Sequence, residues 1–253
     1  MIGTKFIAPL EFKIVTDKEI YVQGDPIKGD FIVKNHGATS QTLSLLQVSL
    51  ESGIFKKINQ KEEKGFTQVD VFNVKESVSL GAGEQKSLKW NFVFQEDCPT
   101  TDTQQSLYIV YGNSSNPFEC GQLQLTVEMA PILKFFLEVF VNFHRFQIKQ
   151  TKFSKDMMVE IKLCPPKSRE MTSVEALVLK MKKDKDNLIV NYHFSVKKLE
   201  SVSTTEAKVQ SKKMQFDQVL TKNDYEEYGS FSHEKVKKQI GLILKEVIPK
   251  FFF

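Results

Sequence analysis

Arginine is almost missing from this chain. Of its 35 basic residues only Arg145 and Arg169 are arginines, so the planar bidentate fork that reads bases and clamps phosphates is scarce. The surplus of +4 over 253 residues is too small and too dispersed for a dedicated nucleic-acid binder. Cysteine is equally sparse: Cys98, Cys120 and Cys164 are widely spaced, with no CxxC and no histidine nearby in sequence. Neither a disulfide framework nor a zinc site is expected, and a reducing cytoplasm is the simplest home. Long apolar runs are missing too. Met1 to Leu10 contains no signal-peptide core, and the longest apolar stretch, Ile132 to Phe143, is interrupted by Lys134, Glu138 and Asn142. It falls far short of the roughly 20 residues that cross a bilayer. GxSxG, GxxxxGK[ST], HExxH and EF-hand patterns do not occur. His36, His144, His193 and His233 lie in four unrelated contexts, and the acidic pairs Glu62-Glu63 and Glu226-Glu227 sit in polar stretches. No catalytic residue, metal site, cofactor or small-molecule substrate is expected.

What the chain does have is phenylalanine, 21 of them against one tryptophan, set into period-two alternation. Leu10, Phe12 and Ile14 alternate with charged residues, as do Phe31 and Val33. Runs through Leu46, Val48 and Leu50 and through Val69 and Val71 follow. Then come Leu88, Trp90, Phe92 and Phe94, then Leu107, Ile109 and Tyr111, and finally Leu123, Leu125 and Val127. Glycine, proline and asparagine clusters separate these runs, for instance Gly81-Ala82-Gly83 and Gly112 to Pro117. Short half-buried strands with such punctuation predict an antiparallel β-sandwich over residues 1–130.

The rhythm changes after Pro131. Polar residues recur every fourth position through 142 while the rest is large and apolar, which predicts a helix wet along one narrow stripe and buried as a plug between layers or domains. A strand over the same residues is the alternative. Residues 131–145 are therefore read as a junction helix and linker, and 146–230 as a second sandwich. Val159 to Leu163 ends at Pro165-Pro166, and a charged turn at 182–187 joins two alternating runs into a long hairpin. Residues 201–213 read as a loop or weak edge strand. From Ser232, a plausible N-cap, Val236, Ile240, Ile243, Leu244 and Val247 recur at helical spacing. Residues 231–253 thus form an amphipathic helix with the tail Phe251, Phe252 and Phe253. That apolar set either seals the second domain or docks on a membrane surface or partner groove.

The segment Ile20-Tyr21-Val22-Gln23-Gly24-Asp25-Pro26-Ile27-Lys28-Gly29-Asp30-Phe31 resembles a pattern of arrestin-fold proteins, an aromatic followed by x-x-Gly-Asp-x-[Val/Ile]-x-Gly and an alternating strand. The strands Lys89 to Phe94 and Leu107 to Tyr111 follow in the order such proteins show. Leu163-Cys164-Pro165-Pro166 and Ser173 to Leu177 are similar to the sporulation-control branch of that family in bacteria and archaea, with a more distant likeness to the arrestin-fold retromer subunits. Neither arginine sits in a motif matching the buried ionic switch of visual arrestins. The resemblance implies an all-β, two-sandwich, cytoplasmic adaptor or scaffold that binds other proteins by strand addition or loop contact, without catalysis. A coat-like or peripheral membrane subunit using the basic C-terminal helix is the first alternative, and an enzyme the second.

Overall fold

A computed structural model of the chain describes residues 1–74, 77–201 and 207–248. The chain divides into two compact units, Met1–Glu128 and Met129–Phe253. In the first, the strands are β1 (Ile2–Ile7), β2 (Leu10–Thr16), β3 (Ile20–Val22), β4 (Pro26–Asn35), β5 (Gln41–Leu43) and β6 (Gln47–Ile54). A short helix α1 (Phe55–Asn59) is followed by β7 (Phe66–Asn73), β8 (Val78–Leu80), β9 (Gln85–Val93), β10 (Gln105–Gly112), β11 (Gly121–Gln124) and β12 (Thr126–Glu128). Two four-stranded sheets form, in the orders β1-β2-β4-β9 and β11-β10-β6-β7, with small pairings of β12 to β3 and β5 to β8. The alternation read from the sequence supplies the core between them: Phe12, Ile14 and Phe31 of one sheet meet Val48, Ile109 and Tyr111 of the other, all buried. Phe31 and Tyr111 touch edge to face at 6.1 Å.

Two details depart from the alternation. Val69 and Val71 do not face this core; Val69 is exposed, and Phe72 packs inward instead. A register shift between Leu50 and Glu51 leaves one residue unmatched in β7 and turns the expected face outward. On the outer side of β10, Tyr108 and Val110 are buried as well, under Phe66, Phe55, Ile58, Phe118 and Cys120. The unbroken apolar run Leu107 to Tyr111 is the signature of a strand covered on both faces.

The second unit starts with α2 (Pro131–Asn142), with Pro131 at its first turn. Strands β13 (Gln147–Phe153), β14 (Val159–Cys164), β15 (Val174–Asp184), β16 (Asn187–Ser201) and β17 (Ala207–Leu220) form one antiparallel sheet in chain order. A helical turn α3 (Lys222–Tyr225), the small hairpin β18 (Glu226–Glu227) and β19 (Ser230–Phe231), and α4 (His233–Val247) complete the unit. Apart from the short parallel pairing of β12 with β3, the strand pairings among the described residues are antiparallel. Among the described residues, however, the layer facing this five-stranded sheet is helical rather than a second sheet. Ile132, Leu133, Phe136, Val139 and Phe140 of α2 join Val236, Ile240 and Leu244 of α4 in one core with Leu177, Leu179, Val190, Tyr192 and Phe194.

The junction helix is thus an internal part of the second unit. Its near-complete apolar circumference meets the sheet on one side and α4 on another, which is why one polar stripe suffices. Phe140 alone reaches Phe136 at 5.8 Å, Phe146 at 5.4 Å and Tyr192 at 6.4 Å. Of the stretch 201–213, expected as a loop or weak edge strand, the described residues 201 and 207–213 lie in strands, and β17 is the edge strand of its sheet. β17 keeps unbroken register with β16, and its polar residues Gln210, Ser211, Lys212 and Lys213 suit an edge open to water.

Candidate functional site

The C-terminal set comes first, because the sequence offered it as a contact surface. Val236, Ile240, Leu244 and Val247 are all under 6% exposed, and Ile243 packs against the same core. In this structure they face their own sheet and α2, so the stripe is not available to a membrane or partner. The physical reason is that a single sheet has an apolar face that must be covered, and α4 has the matching stripe. Ser232 precedes the helix as expected, but its hydroxyl donates to Glu227 at 3.2 Å instead of capping. Phe251, Phe252 and Phe253 lie outside the described residues. No helix among the described residues is long and apolar enough to cross a membrane.

His144 has its Nε2 buried with no hydrogen-bond partner among the described residues. It lies beside Phe140 at 5.9 Å, and burial followed by the charge of Lys237 holds its pKa below the usual 6.5. His36 pairs with Glu11 on the surface at 2.6 Å. Among the described residues no cluster of three metal-ligating side chains occurs. Cys98 and Cys120 are buried thiols raised by desolvation, Cys98 to about 12. Other shifted groups have ordinary causes: Asp156 and Asp186 are lowered by hydrogen bonds from Lys180 and Lys222.

The feature that does stand open is the edge of the first unit at β1. Met1 and Thr16 exchange backbone hydrogen bonds, the amide of Thr16 donating to the Met1 carbonyl at 3.0 Å. Antiparallel ladders alternate. Gly3, Lys5 and Ile7 therefore also turn their backbone groups to β2, whereas the N–H and C=O groups of Ile2, Thr4 and Phe6 point away from it. Among the described residues no strand pairs with that outer side. The exposed row is apolar, Ile2 at 63% and Phe6 at 59%. Phe6 leans edge-on toward the ring of His36 at 6.0 Å.

Beside this edge runs an open groove of about 580 Å³ between β1 and β11. Tyr111 lies at its base, its ring passing between Gly3 and Gly121. A side chain at Gly3 would meet the Tyr111 hydroxyl at 2.8 Å, and one at Gly121 would strike the ring itself. The paired glycines let an otherwise buried tyrosine reach the sheet edges. Burial pushes its phenol up to about 12, so it stays neutral and a hydrogen-bond donor. Ile58, Phe118 and Leu123 give the groove apolar walls, and its charged lining residues are Lys5 and Lys61. Nothing in the sequence reading singled out β1; its signal was a strand with Ile2, Phe6 and Ile7 and a single charge, Lys5.

No known family profile matches the chain, and no curated protein matches it in sequence. Among solved structures it is similar to Spo0M, sporulation control protein, from Bacillus subtilis, at 17% identity over 95% of this chain and 100% of that one, with a TM-score of 0.66. Partial likenesses to the alkylpurine DNA glycosylase AlkC of Pseudomonas fluorescens cover 49% of this chain and 31% of that one, at 16% identity and a TM-score of 0.30. A β-glucosidase of Listeria innocua aligns at 16% identity over 47% of this chain and 16% of that one, also with a TM-score of 0.30. These two carry no argument about the present protein. The likeness to Spo0M is one of fold: the chain has the arrestin-like, mostly β architecture of that protein.

Proposed function

We propose that this protein is a non-catalytic, regulatory adaptor that captures an extended segment of a partner protein along β1. The observation that carries the reading is the outward row of backbone groups at Ile2, Thr4 and Phe6 on an uncovered apolar edge. Main-chain hydrogen bonds from such an edge supply affinity, and alternate side chains supply specificity. The added segment places apolar residues beside Ile2 and Phe6 on the outer face. Its other face enters the groove over Tyr111, where Lys5 and Lys61 favour an acidic residue. Spo0M is a sporulation control protein, which makes regulation the natural setting for such an interaction; the cytoplasm is its proposed compartment.

The test is selection of short extended peptides against the full chain, followed by amide hydrogen exchange. The expected outcome is slowed exchange at Ile2, Thr4 and Phe6 and loss of binding in Thr4→Pro, which removes an outward donor without breaking the ladder to β2. Protection elsewhere, or equal binding by Thr4→Pro, overturns the reading.

A further inference from the structure

Tyr111 is a core residue with one end left wet. It is 1% exposed, and its ring packs edge to face on Phe31 at 6.1 Å. Its hydroxyl makes no hydrogen bond among the described residues, and burial is the one cause that shifts its phenol. The side-chain atoms that are both unpartnered and sealed from solvent are Trp90 Nε1, His144 Nε2, Ser154 Oγ and Ser173 Oγ among the described residues, and the Tyr111 hydroxyl is not one of them. The trace of surface that Tyr111 shows is therefore at its hydroxyl, on the floor of the groove beside β1. An oxygen atom can stand against it there.

Two glycines make the opening. A side chain at Gly3 or at Gly121 would come within 2.8 Å of the hydroxyl, so another residue at either position would cover it. Gly3 lies between Ile2 and Thr4, the residues whose backbone groups point away from β2. In an antiparallel strand added to β1, the residue opposite Gly3 projects to the same face as Gly3, its Cβ about 5 Å from the place a Gly3 side chain would take. Its side chain has an open path to the hydroxyl.

The groove holds Lys5 and Lys61 and no carboxylate. Neither lysine has an acidic partner among the described residues. Glu51 and Glu119, whose charges reach Cys120 in the groove wall, are engaged elsewhere: Glu51 accepts from Ser49 at 2.8 Å, and Glu119 from Ser114 at 2.6 Å and Asn116 at 3.1 Å. A phenol pushed up to about 12 is neutral at pH 7 and free to donate. Its strongest acceptor is an ionised one. We propose that the groove reads one acidic side chain of the captured segment, the residue opposite Gly3, whose carboxylate accepts from the Tyr111 hydroxyl in the field of Lys5 and Lys61. This rests on the reading of β1 as a capture edge and adds to it a position and a partner atom.

The full chain, labelled with nitrogen-15 and with carbon-13 at tyrosine Cζ, is titrated with acetyl-Val-Thr-Thr-Glu-Ile-amide and with the same peptide carrying Ala in place of Glu. Antiparallel to β1, the Glu stands opposite Gly3, with Ile and Val beside Ile2 and Phe6. Both peptides should shift the amides of Ile2, Thr4 and Phe6, and the Glu peptide should bind more tightly. Tyr111→Phe should weaken the Glu peptide about tenfold and leave the Ala peptide within about twofold. In the wild type the Tyr111 Cζ signal should move with the Glu peptide and stay in place with the other, a readout that stands even where Tyr111→Phe does not fold. Shifts at the three amides with no preference for Glu, with that preference kept in full by Tyr111→Phe, or with a Tyr111 signal indifferent to the Glu, overturn this inference and leave the capture edge standing. No shift at Ile2, Thr4 and Phe6 with either peptide overturns both.

Discussion

In the first unit, inward side chains of one sheet meet those of another; in the second, a single sheet of five strands is covered by α2 and α4. The difference follows from where the apolar residues stand. Alternating strands have only one face to bury, and two such faces satisfy each other. The run Ile132 to Phe143 is apolar nearly all round, so it seals a sheet and still has surface left to meet a second helix. The edges differ correspondingly. β13 is blunted by Lys149, Lys152 and a register irregularity, and β17 by Lys212 and Lys213. At the edge of the first unit, β1 shows Ile2 and Phe6 to solvent, and its one lysine, Lys5, shares the inner face with Gly3. Natural sheets guard their edges against pairing, so an unguarded one marks where pairing is useful.

Phe136→Ala breaks the comparison most directly. The ring is fully buried in the helix-covered core, and its removal is expected to cost about 3–5 kcal/mol. Hydrogen exchange should accelerate from Met129 onward while the amides of β2 and β4 keep their protection. Equal loss in both units would show that the two cores are not independent.

Glu51 gives an effect of about 1 kcal/mol, the low end of the range for an imperfectly paired buried polar group. Its carboxyl is 5% exposed on the outer face of β6, with the Ser49 hydroxyl donating at 2.8 Å. Burial raises its pKa above 4.5, the Ser49 bond lowering it somewhat. With the folded value above the unfolded one, the contribution to stability is full below about 4.5 and is lost as pH rises through the folded pKa. Glu51→Gln should therefore raise the urea midpoint of the first unit at pH 7 and leave it nearly unchanged at pH 4. A gain of the same size at both pH values would rule out the charge as its cause.

The β1 edge should respond in binding and hardly in stability. Ile2→Lys with Phe6→Lys removes exposed surface, so stability should stay within about 0.5 kcal/mol of the parent, while peptide capture is lost. A large fall in the unfolding midpoint would mean that the two side chains belong to the core.

Much of this was legible from periodicity. The longer strands of the first unit, the helix after Pro131 and the stripe of α4 follow from spacing, because burial on one face imposes a period of 2 or 3.6, while β1 and the short β3, β5 and β8 do not. What escaped was set by partners distant in sequence. The flip of Val69 depends on a shift opposite Leu50 and Glu51, and the outer cluster over Tyr108 needs Phe66 and Phe118 brought together. The stripe of Val236, Ile240 and Leu244 reads equally well as a seal or a docking face until the single sheet beneath it is seen. The β1 edge is defined by a missing partner, and no local pattern encodes an absence.

The smallest expected effect concerns His144, and it runs opposite to Glu51. Nε2 is buried without a partner among the described residues, packed on Phe140 of α2 and near the charge of Lys237 on α4. Lys237 itself sits over the Phe143 ring at 5.4 Å, so it is held close. Both burial and that charge oppose protonation, burial the more, and the folded pKa lies below 6.5. Above about 6.5 neither state carries the proton and stability is unaffected; as pH falls from there toward the folded value, the unfolded chain binds the proton first and stability is lost. Acid should thus loosen the second unit through His144, whereas through Glu51 it favours the first. Exchange at Val236 and Ile240, followed from pH 8 to pH 5, should quicken beyond the intrinsic pH dependence. His144→Phe removes the titrating nitrogen and should flatten that response, and Lys237→Met should shrink it. If both variants retain the full response, the pH sensitivity of the second unit arises at some other group.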